Sequence, residues 1–508
     1  MEKSLTSRTV HGLKWTYLAN GISAGLQIAF TAIIARLLLP SAFGLVAMAG
    51  IFLRFGSYFA QMGIGQAIVQ KQTLQPHDIR AAFTASTLIG AAFTVAIFLA
   101  APLGRFFLDT PEIVPIIRAM GLTFFINGLS ATSLGLLRRE LRFRAIALLE
   151  VLSYALGYGL VGILLALNGF GVWSLVIASL SRTTMTLLFA YTIQHHSLLP
   201  SFHRDSHKAI LHYGGLLSVI GFIEFLGYGV EFFVLGKIWG DTILGIYAKS
   251  VMIVKLMQQY TVIALTRVLF PVLSRLQDQP KRLKKAYLDT TVVVGIIVMP
   301  ISFGLIPAGQ ELILSLLGDQ WVRGIPMLQL FTLAMPPIML GVVAGVVFDA
   351  TARLGVKLMI QSGFLVLAVG SAIAAIPMGI LAVIAAVCVA NIIRWFAMQT
   401  AICRYLCIGW REYIQALWPG FSVSIPVVAA IILTSHFLAG ALSPVRLAAD
   451  ILAGTIVLAG MIILAPPRRL QPTLRQIIDA IWTAPPNPSL PDRIILWYRT
   501  KKLGEAET

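Results

Sequence analysis

Apolar runs of about twenty residues or more recur along the whole chain, separated by short stretches that carry Pro, Gly and basic residues. A run of that length, wound as a helix, crosses the roughly 30 Å hydrocarbon core of a bilayer. The pattern predicts about 14 transmembrane helices, at 12–37, 43–68, 80–107, 115–137, 145–167, 171–194, 209–235, 242–272, 286–308, 324–349, 357–378, 379–403, 412–439 and 445–465. Several links are short, such as LLLPS at 37–41 and LNGFG at 167–171. Composition agrees: of 508 residues, 58% are hydrophobic and 12% charged, with mean hydropathy +0.85. Soluble domains carry about 25% charged residues. The expected fold class is an all-α polytopic membrane protein. The start, MEKSLTSRTVHGLKW, has no small-residue cleavage site after a short apolar core, so the first helix is expected to serve as its own insertion signal.

The net charge of +18 would suggest nucleic acid in a soluble protein. Here topology accounts for it. With the N-terminus placed in the cytoplasm, 27 of the 39 basic residues fall on the cytoplasmic side, 6 on the outer side and 6 within spans. This asymmetry follows the positive-inside rule and supports an even helix count with both termini cytoplasmic. No nucleic-acid partner is expected.

Sliding the chain against itself by 201 residues exposes a repeat. His11 falls on His212, Arg36 on Lys237, Gly44-Leu45 on Gly245-Ile246, Ala47 on Ala248 and Arg54 on Lys255. With small gaps, GFGVWSLV (169–176) aligns with PMGILAVI (377–384), and Pro115 with Pro326. Each unit holds six spans, so the copies have the same orientation: two parallel six-helix bundles related by a pseudo-two-fold axis, plus two extra helices. Parallel repeats around a midplane site are a transporter signature. The expected division is 1–200 and 201–408 for the bundles, 409–466 for the last two helices, and a basic, Pro-rich cytoplasmic tail at 467–508. Within that tail, LRQIIDAIW reads either as a short amphipathic helix on the membrane surface or as part of a weakly ordered basic tail.

Charges inside the spans carry the candidate chemistry. The cations are Arg54, Arg182, Lys249, Lys255, Arg267 and Arg394; the acids are Glu224 and Glu231, with Glu150 near a span end. A lipid-facing arginine at mid-span costs about 2.5–3.5 kcal/mol, so six such cations must face protein or water. Lys249 and Arg267 are eighteen residues apart, five helical turns, and would share one face of the eighth span. Arg54, Lys255, Lys249 and Arg267 suit a cationic cavity for phosphate or pyrophosphate. The alternative is pairing inside the protein, such as Glu231 with Lys249 or Lys255. Arg182 and Arg394 read as internal to their bundles. Glu224 and Glu231 share a face, and either pair with cations or bind a coupling proton or Na⁺. Asn20 and Gln27, seven apart on the first span, either line the cavity or hydrogen-bond between helices.

Other chemistry is sparse. Cys388, Cys403 and Cys407 have no metal-type spacing and read as packing residues. His195, His196, His203 and His207 fall in one cytoplasmic connection without zinc-site spacing. RRELRFR (138–144) is a basic cytoplasmic loop that could meet lipid head groups or a polyanionic substrate, although topology alone accounts for it. There is no Walker A motif, no convincing catalytic triad, paired carboxylates or metal cluster, and no outer loop beyond about 15–20 residues. No cofactor is expected.

ARLLLPSAFGLVAMA (35–49), GIGQAIVQ (63–70), LLRRELRFR (136–144) and GFGVWSLV (169–176) resemble the polysaccharide-exporter branch of the multidrug/oligosaccharidyl-lipid/polysaccharide flippase superfamily, nearest to lipopolysaccharide and colanic-acid-type flippases. The resemblance covers roughly residues 5–465. One departure is Leu39-Pro40-Ser41-Ala42, where relatives often read Gly-Pro and then an acid. The resemblance implies a V-shaped pair of six-helix bundles in the bacterial inner membrane. It also implies alternating access that moves a polyprenyl-pyrophosphate-linked oligosaccharide to the outer leaflet, beside membrane lipids and glycan polymerase or export machinery. By position, Arg54 resembles a cavity arginine on helix 2 of the related lipid II flippases, and Arg267 one on helix 8. Two rival readings are a multidrug cation antiporter of the same fold and a membrane glycan polymerase or ligase. The excess of intramembrane cations argues against the first, and the short outer loops against the second.

Overall fold

The computed structural model describes the backbone of residues 2–60, 68, 74–201, 229–464 and 471, and the side chains within these except 2–19, 55, 57–60, 260 and 263–268. The principal helices are α1 (Glu2–Leu37), α2 (Pro40–Ala60), α3 (Pro76–Ala100), α4 (Ile113–Arg139), α5 (Phe143–Leu167), α6 (Val172–Ile193), α7 (Val230–Ser250) and α8 (Met252–Arg275). They continue as α9 (Pro280–Leu305), α10 (Gly309–Leu316), α11 (Ile325–Leu333), α12 (Met335–Ala350), α13 (Leu354–Ala375), α14 (Ile380–Tyr405), α15 (Trp410–Phe437) and α16 (Ser443–Leu464). No strand occurs among the described residues. Proline sets several starts: Pro40, Pro76 and Pro280 each open a helix, where a missing N–H costs nothing. At α3 the start is reinforced by Asp78, whose carboxylate accepts from the Gln75 amide at 3.0 Å.

Among the described residues, eleven helical stretches are long and apolar enough to cross a membrane, and Pro40–Arg54 is a shorter apolar helix. The expected span 209–235 falls mostly outside the described residues, as does the expected tail helix. The expected span 242–272 begins in the second half of α7. That helix reverses at Gly240, whose φ of 79° and ψ of −174° are non-helical. The Tyr247 hydroxyl donates to Glu231 at 3.3 Å across sixteen residues. In a straight helix those residues would stand about 24 Å apart, so the two halves fold back on one another.

The chain divides into two compact units, Met1–Ile253 with Leu316–Gly324, and Val254–Ser315 with Ile325–Thr508. The core of the first gathers Leu45, Met48 and Ile51 of α2, Ile97 of α3, Ile113, Ile117, Met120 and Phe124 of α4, Val176 of α6 and Leu244 of α7. In the second, α9 packs against α15, and Tyr287 and Tyr413 stack with 6.4 Å between ring centroids. Tyr287 donates to Gln399, whose amide donates to the Leu340 carbonyl at 3.3 Å, so three helices are linked by a buried polar chain. Many outward side chains are large and apolar, such as Leu99, Val366 and Ile456. A bilayer, unlike water, imposes no penalty on them.

The internal repeat has local structural counterparts. Gly171 and Gly379, aligned in the sequence, both take positive φ (54° and 97°) immediately before α6 and α14. A side chain there would be strained. The offset of 201 maps Pro40 onto Asp241 and Gly44 onto Gly245. A Cβ on Gly44 would stand 1.8 Å from the Asp241 carbonyl oxygen, and one on Gly245 would stand 1.8 Å from the Pro40 carbonyl oxygen. Each glycine therefore meets the equivalent of its own neighbour four residues back. Such reciprocity is the mark of an isologous, two-fold contact. Here it joins α2 to α7 backbone against backbone, as small residues allow in membrane helices.

Gly44→Ala and Gly245→Ala should each force this crossing apart, at about 1–3 kcal/mol, read as a lowered melting temperature in detergent. The double variant should cost less than the sum, because both substitutions relieve one seam. Additive losses would mean that the two glycines act at independent contacts. A second expectation concerns His196 in the connection after α6. Its ring packs on Phe83 and Tyr191 and is half-buried, and desolvation lowers its pKa from the ordinary 6.5. The unfolded chain then binds this proton more readily than the native one. Stability should therefore fall as pH drops from about 6.5 through the lowered native value. In His196→Gln that part of the pH slope should be absent.

Candidate functional site

Four intramembrane cations were expected to act together, and the structure places them on three helices. Arg54 lies on α2 and is exposed, whereas Ile51, one turn earlier, is in the core. Lys249 is the penultimate residue of α7 and belongs to the first unit; Lys255 lies on α8 and belongs to the second. Between them, Val251 is a turn residue that interrupts the helical ladder. The five-turn register that would set Lys249 and Arg267 on one face therefore does not run unbroken. The Arg267 side chain and all of Glu224 lie outside the described residues.

Each placed lysine sits over an aromatic ring of its own unit. The Lys249 ammonium lies 4.7 Å from the centroid of Phe43, and that of Lys255 lies 5.3 Å from the centroid of Phe331. A ring face attracts a cation without cancelling its charge. The other polar neighbour of Lys249 is the Met252 sulfur at 4.0 Å, a weak acceptor. Among the described residues, no carboxylate lies within ion-pair distance of Lys249. The alternative pairing of Glu231 with Lys249 is thus not made. Glu231, buried at 3% exposure, instead accepts from Tyr247, because the reversal at Gly240 brings that hydroxyl over it. Asn20 and Gln27 are both half-buried on α1.

The remaining span cations are held within their units. Arg394 on α14 is buried, donates to Gln361 at 3.4 Å and lies over the Phe364 ring. Arg182 on α6 is exposed, with its guanidinium 5.0 Å from the Tyr154 centroid. In the RRELRFR loop, Arg139 donates to the Ile68 carbonyl at 2.6 Å and Arg142 to the Ile193 carbonyl at 3.3 Å. These two arginines satisfy backbone carbonyls of neighbouring segments, one of them at the end of α6.

Three features escaped the sequence reading. Trp321 is fully buried and donates from its indole to the Ala35 carbonyl at 3.1 Å; Gln320 donates to the same carbonyl and to that of Leu38. The segment 319–324 thereby caps the end of α1, which lies about 285 residues earlier in the chain. Lys237, the repeat partner of Arg36, lies 3.8 Å from Asp109 and 4.9 Å from the Phe106 centroid. Asp450, inside the last expected span, is a buried acid that the inventory of intramembrane charges passed over. Its spacing in an apolar run was a sufficient signal.

A family described as polysaccharide biosynthesis protein matches residues 33–326, more than half of the chain. The lipopolysaccharide biosynthesis protein WzxC of Escherichia coli (strain K12) is 25% identical over 434 residues, covering 84% of this chain and 87% of that protein. The succinoglycan biosynthesis transport protein ExoT of Rhizobium meliloti (strain 1021) is 26% identical over 337 residues, with coverage of 66% and 68%. Among solved structures, lipid II flippase MurJ in an inward closed conformation superposes with a TM-score of 0.66 at 13% identity. That likeness covers 87% of this chain and 97% of that one, and it shows a shared fold.

A half-buried cation whose neighbours among the described residues are neutral should burden the fold. Lys249→Met, which keeps the aliphatic stem and drops the charge, should leave the melting temperature unchanged or raise it. Lys357 is the contrast: it bonds both Asp349 carboxylate oxygens at 3.0 Å. Lys357→Met should cost about 1–3 kcal/mol by stranding that carboxylate. Equal destabilisation by both substitutions would show that Lys249 has a counter-ion.

Proposed function

This chain belongs to the polysaccharide biosynthesis protein family, and from that membership we propose that it flips a polyprenyl-pyrophosphate-linked oligosaccharide from the cytoplasmic to the outer leaflet by alternating access. It acts as a secondary-type transporter rather than an enzyme, in the bacterial inner membrane, with both termini cytoplasmic. The observation that carries the reading is the match over residues 33–326, together with a fold shared with a lipid II flippase along 87% of the chain. The relatives named for lipopolysaccharide biosynthesis and succinoglycan transport support the same cargo class.

The chemistry of the span cations supports a diphosphate head group. Arg54, Lys249, Lys255 and Arg267 supply positive charge, with Arg offering bidentate contacts and Lys point charges. Among the described residues the Lys249 charge is not spent on a carboxylate, and the ring beneath it leaves its donors available to a second partner. A cation of this kind is costly to fold and useful to an anionic ligand. The polyprenyl tail stays in lipid, where its transfer costs nothing, while the sugar follows the head group through water. Asn20 and Gln27 are hydrogen-bonding candidates for the sugar. Glu224 and Glu231 are candidates for pairing with the cations or binding a coupling H⁺ or Na⁺. Membrane lipids surround the protein, and glycan polymerase or export machinery receives the product. A cationic drug as cargo is disfavoured by the excess of intramembrane cations over acids.

The test is a leaflet assay in proteoliposomes with a lipid-linked oligosaccharide. Each charge-assisted contact to phosphate is worth about 1.5–3 kcal/mol, so neutralising one cation should slow flipping by about tenfold to a hundredfold. The Arg54→Ala/Lys255→Ala double variant should insert and fold yet fail to flip. Wild-type flipping by that variant would remove these cations from the substrate path. Wild-type protein that flips no polyprenyl-diphosphate sugar would overturn the assignment of cargo.

A further inference from the structure

The last two helices carry a polar cluster that the cationic-site reading does not use. Asp450 on α16 is 1% exposed. Its two carboxylate oxygens meet the hydroxyls of Thr434 at 2.8 Å and Ser435 at 2.9 Å, both on α15. The Thr434 hydroxyl is also within 2.8 Å of the Ala430 carbonyl and 3.0 Å of the Ile431 carbonyl. A hydroxyl has one proton, so three acceptors converge on a single donor.

One turn before Asp450, Arg446 donates to Glu311 of α10, itself 3% exposed. Arg446 makes its ion pair with Glu311, and Asp450 makes none among the described residues. The one guanidinium nearby is thus taken by Glu311, and the buried Asp450 carboxylate has only hydroxyl donors among the described residues. His436, the other titratable group at this end of α15, is exposed and bonds neither acid. Next to Asp450 in the chain, Ile451 and Leu452 face outward, and one turn on Gly454 packs on Ile431. A carboxylate in such surroundings calls for a positive partner.

We propose that Asp450, Thr434 and Ser435, bordered by the Ala430 and Ile431 carbonyls, form a binding site for one hard monovalent cation such as Na⁺. The donor set is entirely oxygen, which suits a hard cation. One uncompensated carboxylate matches one positive charge and leaves a divalent ion under-neutralised. In the absence of an ion the 2.8 and 2.9 Å separations are ordinary hydroxyl–carboxylate hydrogen bonds, which a bound cation would replace. The site is also shallow. Asp450 is seven residues into α16, about 10 Å of helix rise, and Ser435 lies two residues from the end of α15. Both helix ends join through the 438–442 link, so a hydrated ion has a short way in. On entry the Thr434 proton turns to the Ala430 carbonyl, already within reach, and frees the hydroxyl oxygen to face the ion. The bound ion would clamp α15 to α16, so the stability of this helix pair would follow Na⁺ concentration.

The experiment needs no transport substrate, so it stands or falls apart from the flippase assignment. Melting of the full chain in detergent is followed by tryptophan fluorescence, with NaCl replacing choline chloride at fixed ionic strength. Wild type at pH 8 should gain about 2–4 °C as Na⁺ rises, and should bind one ²²Na⁺ per chain. Asp450→Asn keeps a hydrogen-bonding amide of the same shape and should lose both responses. Ser435→Ala keeps the carboxylate and should need about tenfold more Na⁺, the effect of losing one ligand. Should the asparagine variant fail to fold, the serine variant decides. The proposal is overturned if Asp450→Asn responds like wild type, or if Ser435→Ala shows an unshifted Na⁺ midpoint. It is equally overturned if Na⁺ does nothing at pH 8 while acid alone stabilises the protein, which would make the cluster a proton site.

Discussion

Hydrocarbon offers a buried polar group no water, and most of what this protein does with its chain follows from that. Every peptide group inside the bilayer must bond to another, which selects helices throughout. Every charge inside must find a partner or a use. The described residues show both answers. Arg394 leans on Gln361 and Phe364, Lys357 on Asp349, and Arg446 on Glu311. Lys249 has an aromatic ring and a thioether, neither of which neutralises it. A membrane protein that keeps such a cation keeps it at the expense of stability, which is the basis for proposing an anionic ligand.

The same constraint shapes helix packing. Lipid tails are as apolar as the side chains, so burial alone gives helices little reason to associate. Close backbone approach and capping hydrogen bonds take over. At Gly44 and Gly245 the α2 and α7 backbones touch where no Cβ would fit. At the end of α1, Trp321 and Gln320 close carbonyls that the helix itself leaves open. The reciprocal glycine contact and the paired glycine elbows at Gly171 and Gly379 carry the internal repeat from sequence into geometry.

Much of the architecture was legible beforehand. Span limits near 37–43 and 235–242 anticipated the breaks around Leu39 and at Gly240, because Pro, Gly and the loss of apolar periodicity are local signals. The offset of 201 identified Gly44 and Gly245 as equivalent before their contact was known. Arg394 was read as internal, and it is buried within its unit. The site was less legible. Glu231 was matched on a helical wheel with Lys249 or Lys255, and the wheel could not show that a reversal of the chain brings the Tyr247 hydroxyl to it. The turn at Val251 likewise breaks a register that looked continuous on paper.

The sequence by itself determined that the chain is a many-span helical membrane protein, with an internal similarity at an offset of 201 and basic residues gathered in alternate links between spans. Those are properties of run length, spacing and composition, and each is set by residues near one another or by simple sums along the chain. The tertiary structure alone decided which charges are neutralised. It coupled Glu311 to Arg446 and left Asp450 with hydroxyls, and it put Lys249 over Phe43. Neutralisation is a matter of a few ångströms between side chains on different helices, and those distances depend on how helix faces are turned toward one another, which no local pattern encodes.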